Sequence, residues 1–216
     1  MEDWSPWEIF SSLLLASRWT VALSVITFFG GSLVGLVLTF MRVSKIAVLE
    51  RVARLYIEVI QGTPLLIQLF LIYFGIALTG VEVDPLLAAG LGLTLWSAAY
   101  LAEIWRGCVE AIPRGQWEAS ASLAMSFYQQ MRHVILPQAL RIAVPPTVGF
   151  SVQVVKGTAV ASIIGFVELT KASTMLNNAT FQPFMVFSMC ALLYFAMCFS
   201  LSLCSKHLER RLNVTR

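Results

Sequence analysis

Charged side chains are scarce in this sequence of 216 residues, where Asp, Glu, Lys and Arg together make up only 12%. Ordinary globular domains carry about 25% charged residues. Hydrophobic residues make up 58%, which is more than a chain of this length can bury, because even about 300 residues leave about a quarter of the surface exposed. The composition excludes a soluble enzyme, a disulfide-stapled secreted module and a disordered regulator. It predicts a protein whose surroundings are lipid.

Several patterns that support chemistry are also missing. The four cysteines show no CxxC spacing and the two histidines have no neighbouring ligand pattern, so we expect no metal site. No GxxxxGK followed by Ser or Thr occurs, so the chain is not itself an ATPase, and we predict no enzymatic activity and no cofactor. The net charge of +3 is too small to indicate a nucleic-acid partner.

Long apolar runs are abundant, and a helix needs about 20 apolar residues to cross the hydrocarbon of a membrane. Five such runs predict five transmembrane helices, at 19–41, 59–81, 85–102, 142–167 and 184–203. None of them alternates as a strand of a lipid-facing barrel would, so we predict an all-α membrane protein. We expect Gly62, Thr63 and Pro64 to break the second run, because proline ends or kinks a helix.

The distribution of Lys and Arg predicts the orientation of the chain. These residues are concentrated between the first and second runs, between the third and fourth runs, and in the C-terminal tail. The opposite side carries acidic residues and only Arg18 and Lys171. Because positive charges favour the cytoplasmic side, we predict that the N-terminus is outside and the C-terminus is in the cytoplasm.

The connection between the third and fourth runs, residues 106–141, is the largest cytoplasmic segment. Within it, the apolar residues of 115–135 recur at three- and four-residue spacings, which predicts an amphipathic helix. Such a helix either lies on the membrane surface or presents one face to a soluble partner.

The same segment contains a family motif. From Glu118 the sequence reads EASASLAMSFYQQMRHVILPQALR, which resembles the cytoplasmic "EAA" loop in permease subunits of binding-protein-dependent ABC importers. Ala124 stands where that family usually has glycine, but its small side chain still permits a tight helix-to-helix turn. Three further segments are similar to polar amino-acid permeases: IQGTPLLIQLF (60–70), AAYLAEIWRG (98–107) and VKGTAVASIIGFVEL (155–169).

The resemblance covers about 16–208 and implies a type I ABC importer permease in a bacterial inner membrane. It divides the chain into a periplasmic segment (1–15), a transmembrane domain (16–208) and a cytoplasmic tail (209–216). The implied partners are a second permease subunit (identical or paralogous), a cytoplasmic ATPase dimer that binds and hydrolyses ATP, and a periplasmic solute-binding protein. The implied cargo is a polar amino acid, moved by alternating access.

The resemblance also identifies candidate functional residues. Those implied in coupling to the ATPase are Glu118, Ala119, Ala124, Leu136 and Pro137. Those on the candidate translocation pathway are Gln61, Thr63, Glu103, Lys156, Thr158 and Glu168. Glu103 has an alternative interpretation, an interfacial ion pair with Arg106, and Lys156 either lines a cavity or extends to the membrane surface. Because Gly157 replaces an aspartate that the family commonly has, Lys156 favours a neutral or acidic cargo.

Two alternatives stay open at this point. A small channel or a secondary carrier would need no ATPase, although the chain shows no clear internal repeat of the kind that secondary carriers commonly have. The GxxxG step of Gly31 and Gly35 permits close helix approach, either within the bundle, which we favour, or between two subunits.

Overall fold

The computed structural model describes residues 4–44 and 46–212, and these ranges contain helices and no strand, in agreement with the predicted all-α fold. Lys45 and parts of the predicted terminal segments, 1–3 and 213–216, lie outside the described residues. The helices are α1 Pro6–Val43, α2 Ala47–Gln61, α3 Leu65–Ala77, α4 Pro85–Glu110, α5 Arg114–Ser122, α6 Phe127–Gln130, α7 Leu136–Gly157, α8 Leu169–Thr180 and α9 Pro183–Leu212. A π-helical turn, Met131–Ile135, joins α6 to α7, and a 3₁₀ segment, Thr158–Ile164, continues α7.

The predicted number of spans is confirmed. Four helical stretches are long and apolar enough to cross a membrane: α1, α4, Phe127–Ile164 and α9. The predicted run 59–81 contains the end of α2 and all of α3. These two helices pass the same test as a pair with an angle of 102° between them, which makes five spans when the pair is counted as one broken span. The bend lies at the predicted position. The Gly62 N–H donates the last helical hydrogen bond of α2 to the Glu58 carbonyl, 2.8 Å, and Pro64, in an extended conformation, directly precedes α3.

The predicted domain boundaries do not coincide with breaks in the chain. Helix α1 begins at Pro6 because Ser5 and Glu8 form a capping box there. It then runs without interruption through residues 15 and 16, with Ile9 and Leu13 fully buried against α8 and α9. The boundary at 208 likewise falls inside α9. From Pro6 onwards the segment 1–15 thus lies within the first long helix, and its assignment to the periplasmic side stays a prediction.

Small residues bring α1 and α4 together along the centre of the bundle. A Cβ atom on Gly31 would lie 2.4 Å from the Ser97 hydroxyl oxygen, and one on Gly35 would lie 3.1 Å from the Ala98 carbonyl oxygen. Larger side chains at these two positions would push the helices apart. The GxxxG step therefore serves packing within the bundle.

The prediction of one continuous helix over 115–135 is wrong. The chain forms α5, a turn and then α6, and it continues through the π-helical turn into α7. Helix α5 ends because the backbone at Ala124 takes a positive φ of 57°. The apolar residues do recur at helical spacings, but they belong to two short helices, α5 and α6. Both helices pack against the same ends of α4 and α7.

Candidate functional site

The turn between α5 and α6 has a defined hydrogen-bond pattern. The Ala124 N–H donates to the Ala121 carbonyl, 2.9 Å, and the Met125 N–H donates to the Ser120 carbonyl, 3.3 Å. These two bonds form a Schellman motif, in which glycine is the usual residue at the left-handed position. Here Ala124 occupies that position. The small residue expected from the sequence thus makes the tight turn, but in a conformation that alanine rarely adopts.

The inner side of the α5–α6 loop is fixed to the ends of the long helices. The Trp117 ring stacks on the Phe127 ring, with centroids 6.3 Å apart. Beneath them, buried Met131 and Ile135 pack with Val109 and other apolar residues of α4 and α7. The loop is therefore a rigid unit attached to the base of the bundle.

The outer side of the loop is exposed. Glu118 and Ala119 project from α5 and Ala124 follows them in the turn. Leu136 and Pro137 lie in the first turn of α7, beyond α6 and the π-helical turn, and Leu136 is half-buried. Leu123, at the end of α5, is 77% exposed. Three of the five predicted coupling residues, Glu118, Ala119 and Ala124, are thus exposed on α5 and the turn that follows it, as is Leu123.

A second polar feature is the bend between α2 and α3, where Gln61 and Thr63 are exposed. The Gln61 amide donates to the Ala99 carbonyl of α4, 3.4 Å. The bend itself is held by Gln68, whose Nε2 lies 2.7 Å from the Ile60 carbonyl oxygen and 3.0 Å from that of Thr63. Gln68 is buried, so it supplies donors that water does not reach. Gln68 was not among the predicted site residues, although a glutamine in an otherwise apolar helix is a usable signal.

The other four candidate pathway residues lie on α4, at the end of α7 with its 3₁₀ continuation, and before α8. Thr158 is fully buried and donates to the Val155 carbonyl of its own helix, 2.7 Å. Lys156 is exposed on the last turn of α7. Gly157 is nearer to the bend, because a Cβ atom there would lie 3.7 Å from Leu65.

Glu168 lies in a buried polar junction between α1, α8 and α9. Its two carboxylate oxygens accept the N–H groups of Thr170 and Lys171, each 2.9 Å away, which caps α8. The Tyr194 hydroxyl donates to the same carboxylate, 2.8 Å, and the Thr20 hydroxyl lies 3.4 Å from it. Burial raises the pKa of the Glu168 carboxyl, against the lowering effect of these donors. Glu168 therefore links α1, α8 and α9, and its side chain is fully buried, so no cargo reaches it in this structure.

Glu103 belongs to an ion-pair network at the other end of α4. It pairs with Arg106 at 2.7 Å, as the alternative interpretation predicted, and with Arg42 of α1 at 3.3 Å. Arg42 also reaches Glu50 of α2, 3.5 Å, so the network joins three helices. The positive and negative charges of the network compensate one another. The Glu103 carboxylate is paired with Arg42 and Arg106 and therefore offers little uncompensated charge to a cargo.

An apolar groove of about 400 Å³ lies between α1, α4 and α7. Its polar lining residues, Thr39 and Thr147, donate their hydroxyl groups to carbonyls of their own helices, at 2.8 and 2.6 Å. The groove therefore offers no free polar group to a polar ligand.

Comparisons with known proteins agree with this architecture. Residues 29–214 match the family described as "Binding-protein-dependent transport system inner membrane component". The probable amino-acid ABC transporter permease protein YckA of Bacillus subtilis is 35% identical over 94% of this chain and 90% of its own length. The glutamine transport system permease protein GlnP of Escherichia coli is 34% identical over 98% of each chain.

Two solved structures share the fold. One chain from "Crystal structure of an amino acid ABC transporter with histidines" superimposes with a TM-score of 0.89 and 35% identity, covering 93% of this chain and 94% of that one. A chain of the MetNI methionine ABC transporter superimposes with a TM-score of 0.76 at 24% identity, covering 94% of this chain and 97% of that one. The arrangement of nearly the whole chain is thus that of a transporter membrane subunit.

Proposed function

The chain belongs to the inner membrane components of binding-protein-dependent transport systems, and we infer that it is the membrane-spanning subunit of an ATP-driven importer of amino acids. The observation that carries this conclusion is similarity over almost the full length, in sequence and in fold, to permeases named for amino acids. Such a subunit is not itself catalytic, and it works with ATPase and solute-binding proteins.

The assembly that we propose contains two permease subunits, this chain with a second copy or a paralogue. A cytoplasmic ATPase dimer binds and hydrolyses the ATP, and a periplasmic protein delivers the amino acid. The membrane domain of about 16–208 alternates between outward- and inward-facing states, whose populations shift as ATP and the loaded binding protein favour one of them. The positive charges support an N-terminus outside and a C-terminus in the cytoplasm of a bacterial cell.

The experiment is uptake of radiolabelled amino acids into vesicles that contain the reconstituted complex. We expect uptake to require the ATPase subunits, ATP and the binding protein together. Neutral polar and acidic amino acids are the proposed cargoes, so glutamine and glutamate are the first to be tested. Uptake that persists without the ATPase would contradict the proposal and would favour a channel or a secondary carrier.

We further propose that the α5–α6 loop is the docking site of the ATPase. Its inner side is fixed to the ends of α1, α4 and α7 by packed aromatic and aliphatic residues, so a movement of the loop is transmitted to the long helices. Its outer side presents the Glu118 carboxylate on α5, near exposed Leu123. A basic groove on the ATPase with an apolar floor would complement this surface.

Glu118→Lys tests this docking, because it reverses the charge on an exposed side chain and leaves the folded subunit intact. We expect the variant to stay in the membrane and to lose at least tenfold in recovery of the ATPase by affinity purification. Glu209→Lys, an equal charge change on the exposed end of α9, is the matched control and keeps full recovery. Normal recovery and normal substrate-stimulated ATP hydrolysis with Glu118→Lys would refute the docking role.

A further inference from the structure

Helix α2, the first half of the bent span, divides its surface into three sectors. One sector packs on α1 and α4 and contains Ala53, Tyr56, Ile57 and Ile60. A second sector is apolar and more than half exposed, and contains Val48, Val52, Leu55 and Val59. The third, which we call the polar sector, contains Glu50, Arg51, Arg54, Glu58 and Gln61. At about 100° per residue, the polar sector occupies about 100° of the helix circumference between the other two.

Most of the polar sector points away from the protein. Arg51, Arg54, Glu58 and Gln61 are exposed, and Glu50 is half-buried. Arg54 pairs with Glu50, one turn towards the start of the helix, and Gln61 donates to α4. Within residues 4–44 and 46–212, Glu58 takes part in no ion pair. A carboxylate without a counter-charge therefore stands on the last turn of α2, next to the bend.

Charged side chains in a membrane span are expensive when they face hydrocarbon, and they almost always face the bundle interior or a water-filled cavity. The exposed apolar sector of α2 suits lipid or a neighbouring subunit, but the polar sector does not. From Glu50 to Gln61 the sector extends over about 16 Å of helix. Its first residues, Arg51 and Arg54, belong to the basic connection before the second apolar run, which the proposed topology places on the cytoplasmic side. Cytoplasmic water therefore reaches the start of the sector, and Glu58 and Gln61 extend the polar surface from there to the bend.

We propose that the polar sector of α2 borders a water-filled passage in the cytoplasmic half of the subunit, and that Glu58 is its site for a cationic group such as the ammonium of an amino acid. This inference rests on the proposed transport function and assigns a residue that determines which charges the passage favours. The position suits that role, because Glu58 lies one turn before the bend and its carbonyl closes the end of α2.

The first test is water access along the two exposed sectors. In a variant without the native cysteines, single substitutions Arg51→Cys and Gln61→Cys probe the polar sector, and Leu55→Cys and Val59→Cys are the controls in the apolar sector. The full complex in inside-out vesicles is treated with a charged methanethiosulfonate that does not cross membranes. We expect the two polar-sector positions to react at least tenfold faster. Position 61 decides the test, because cytoplasmic water reaches position 51 with or without a passage. Equal rates at 61 and 59, or no reaction at 61, would overturn the passage.

The second test measures the charge that Glu58 contributes. The cysteine introduced by Gln61→Cys lies three residues away on the same helix face, and its reaction rates with trimethylammonioethyl and sulfonatoethyl methanethiosulfonate are compared. A charge at such close range changes each rate by about fivefold in water, in opposite directions for the two reagents. Glu58→Gln is therefore expected to lower the ratio of cationic to anionic rates at least fivefold.

Two controls make the second result specific. Glu58→Asp keeps the carboxylate and is expected to keep the ratio, whereas Glu209→Gln removes a remote cytoplasmic charge and is expected to leave it unchanged. A ratio that is the same with Glu58 and with Gln at this position would refute the cationic site. Both tests measure thiol reactivity without any cargo, so a complex that shows this pattern but takes up no amino acid would contradict the proposed cargo and leave the passage standing.

Discussion

The Ala124→Gly substitution is expected to stabilise the subunit, because Ala124 holds a left-handed conformation with φ of 57° at the end of α5. A residue with a Cβ atom loses about 1–2 kcal/mol in that conformation, while glycine loses about 0.5–1 kcal/mol more chain entropy than alanine on folding. The balance is a gain of about 1 kcal/mol. Ala124 is exposed, so removing its methyl group leaves no cavity.

The assay for Ala124→Gly is thermal unfolding of the purified subunit in detergent. A gain of about 1 kcal/mol raises the midpoint by about 2–4 °C for a chain of this length. Ala121→Gly is the matched control, because it places glycine within α5 at an exposed position and is expected to cost about 1 kcal/mol. A midpoint that falls with Ala124→Gly would refute the left-handed turn. ATP hydrolysis by the complex is expected to be retained, since the Schellman bonds do not involve the Ala124 side chain.

Two further substitutions test the buried polar groups by thermal unfolding. Gln68→Leu keeps the approximate size of the side chain but leaves the carbonyls at the α2–α3 bend without donors, and we expect a loss of about 1–3 kcal/mol per unpaired group together with slower uptake. An unchanged midpoint would show that the bend does not depend on this amide. Tyr194→Phe removes the hydroxyl that donates to Glu168, with an expected loss of about 1–2 kcal/mol. Tyr73→Phe, whose hydroxyl has no hydrogen bond within the described ranges, is its control, and equal effects of the two changes would contradict the junction.

The features that were predictable from sequence are those that neighbouring residues determine. Runs of about 20 apolar residues identify the spans whatever the fold, and Gly62 with Pro64 is enough to place the bend. The π-helical turn and the break at Ala124 were not predictable in this way. An alanine carries a helical preference, so the left-handed position is visible only in a structure, or in a family that has glycine there.

Long-range contacts explain why the surroundings of some site residues were not predictable. Thr20 and Glu168 are 148 residues apart in the chain, yet their side chains meet in one buried junction. No local pattern distinguishes such a carboxylate from one that lines a cavity, because both occur beside polar residues at the end of an apolar run. Glu103 shows the intermediate case: its pairing with Arg106 was visible as an i,i+3 spacing, but the contact with Arg42 of α1 was not.

The charges that remain uncompensated bear on the cargo. Lys156 alone favoured a neutral or acidic amino acid, and the carboxylate of Glu168, another candidate pathway residue, accepts hydrogen bonds from Thr170, Lys171 and Tyr194. Glu58 supplies a negative group on α2 that was not part of that reasoning, and Lys156 supplies a positive group that is exposed on α7. Every amino acid carries an ammonium and a carboxylate, so the two groups complement the part that all cargoes share. Because their charges sum to zero, the pair gives the extra charge of glutamate or arginine no net attraction, and a comparison of glutamine with glutamate uptake is the measurement that separates the two proposed classes of cargo.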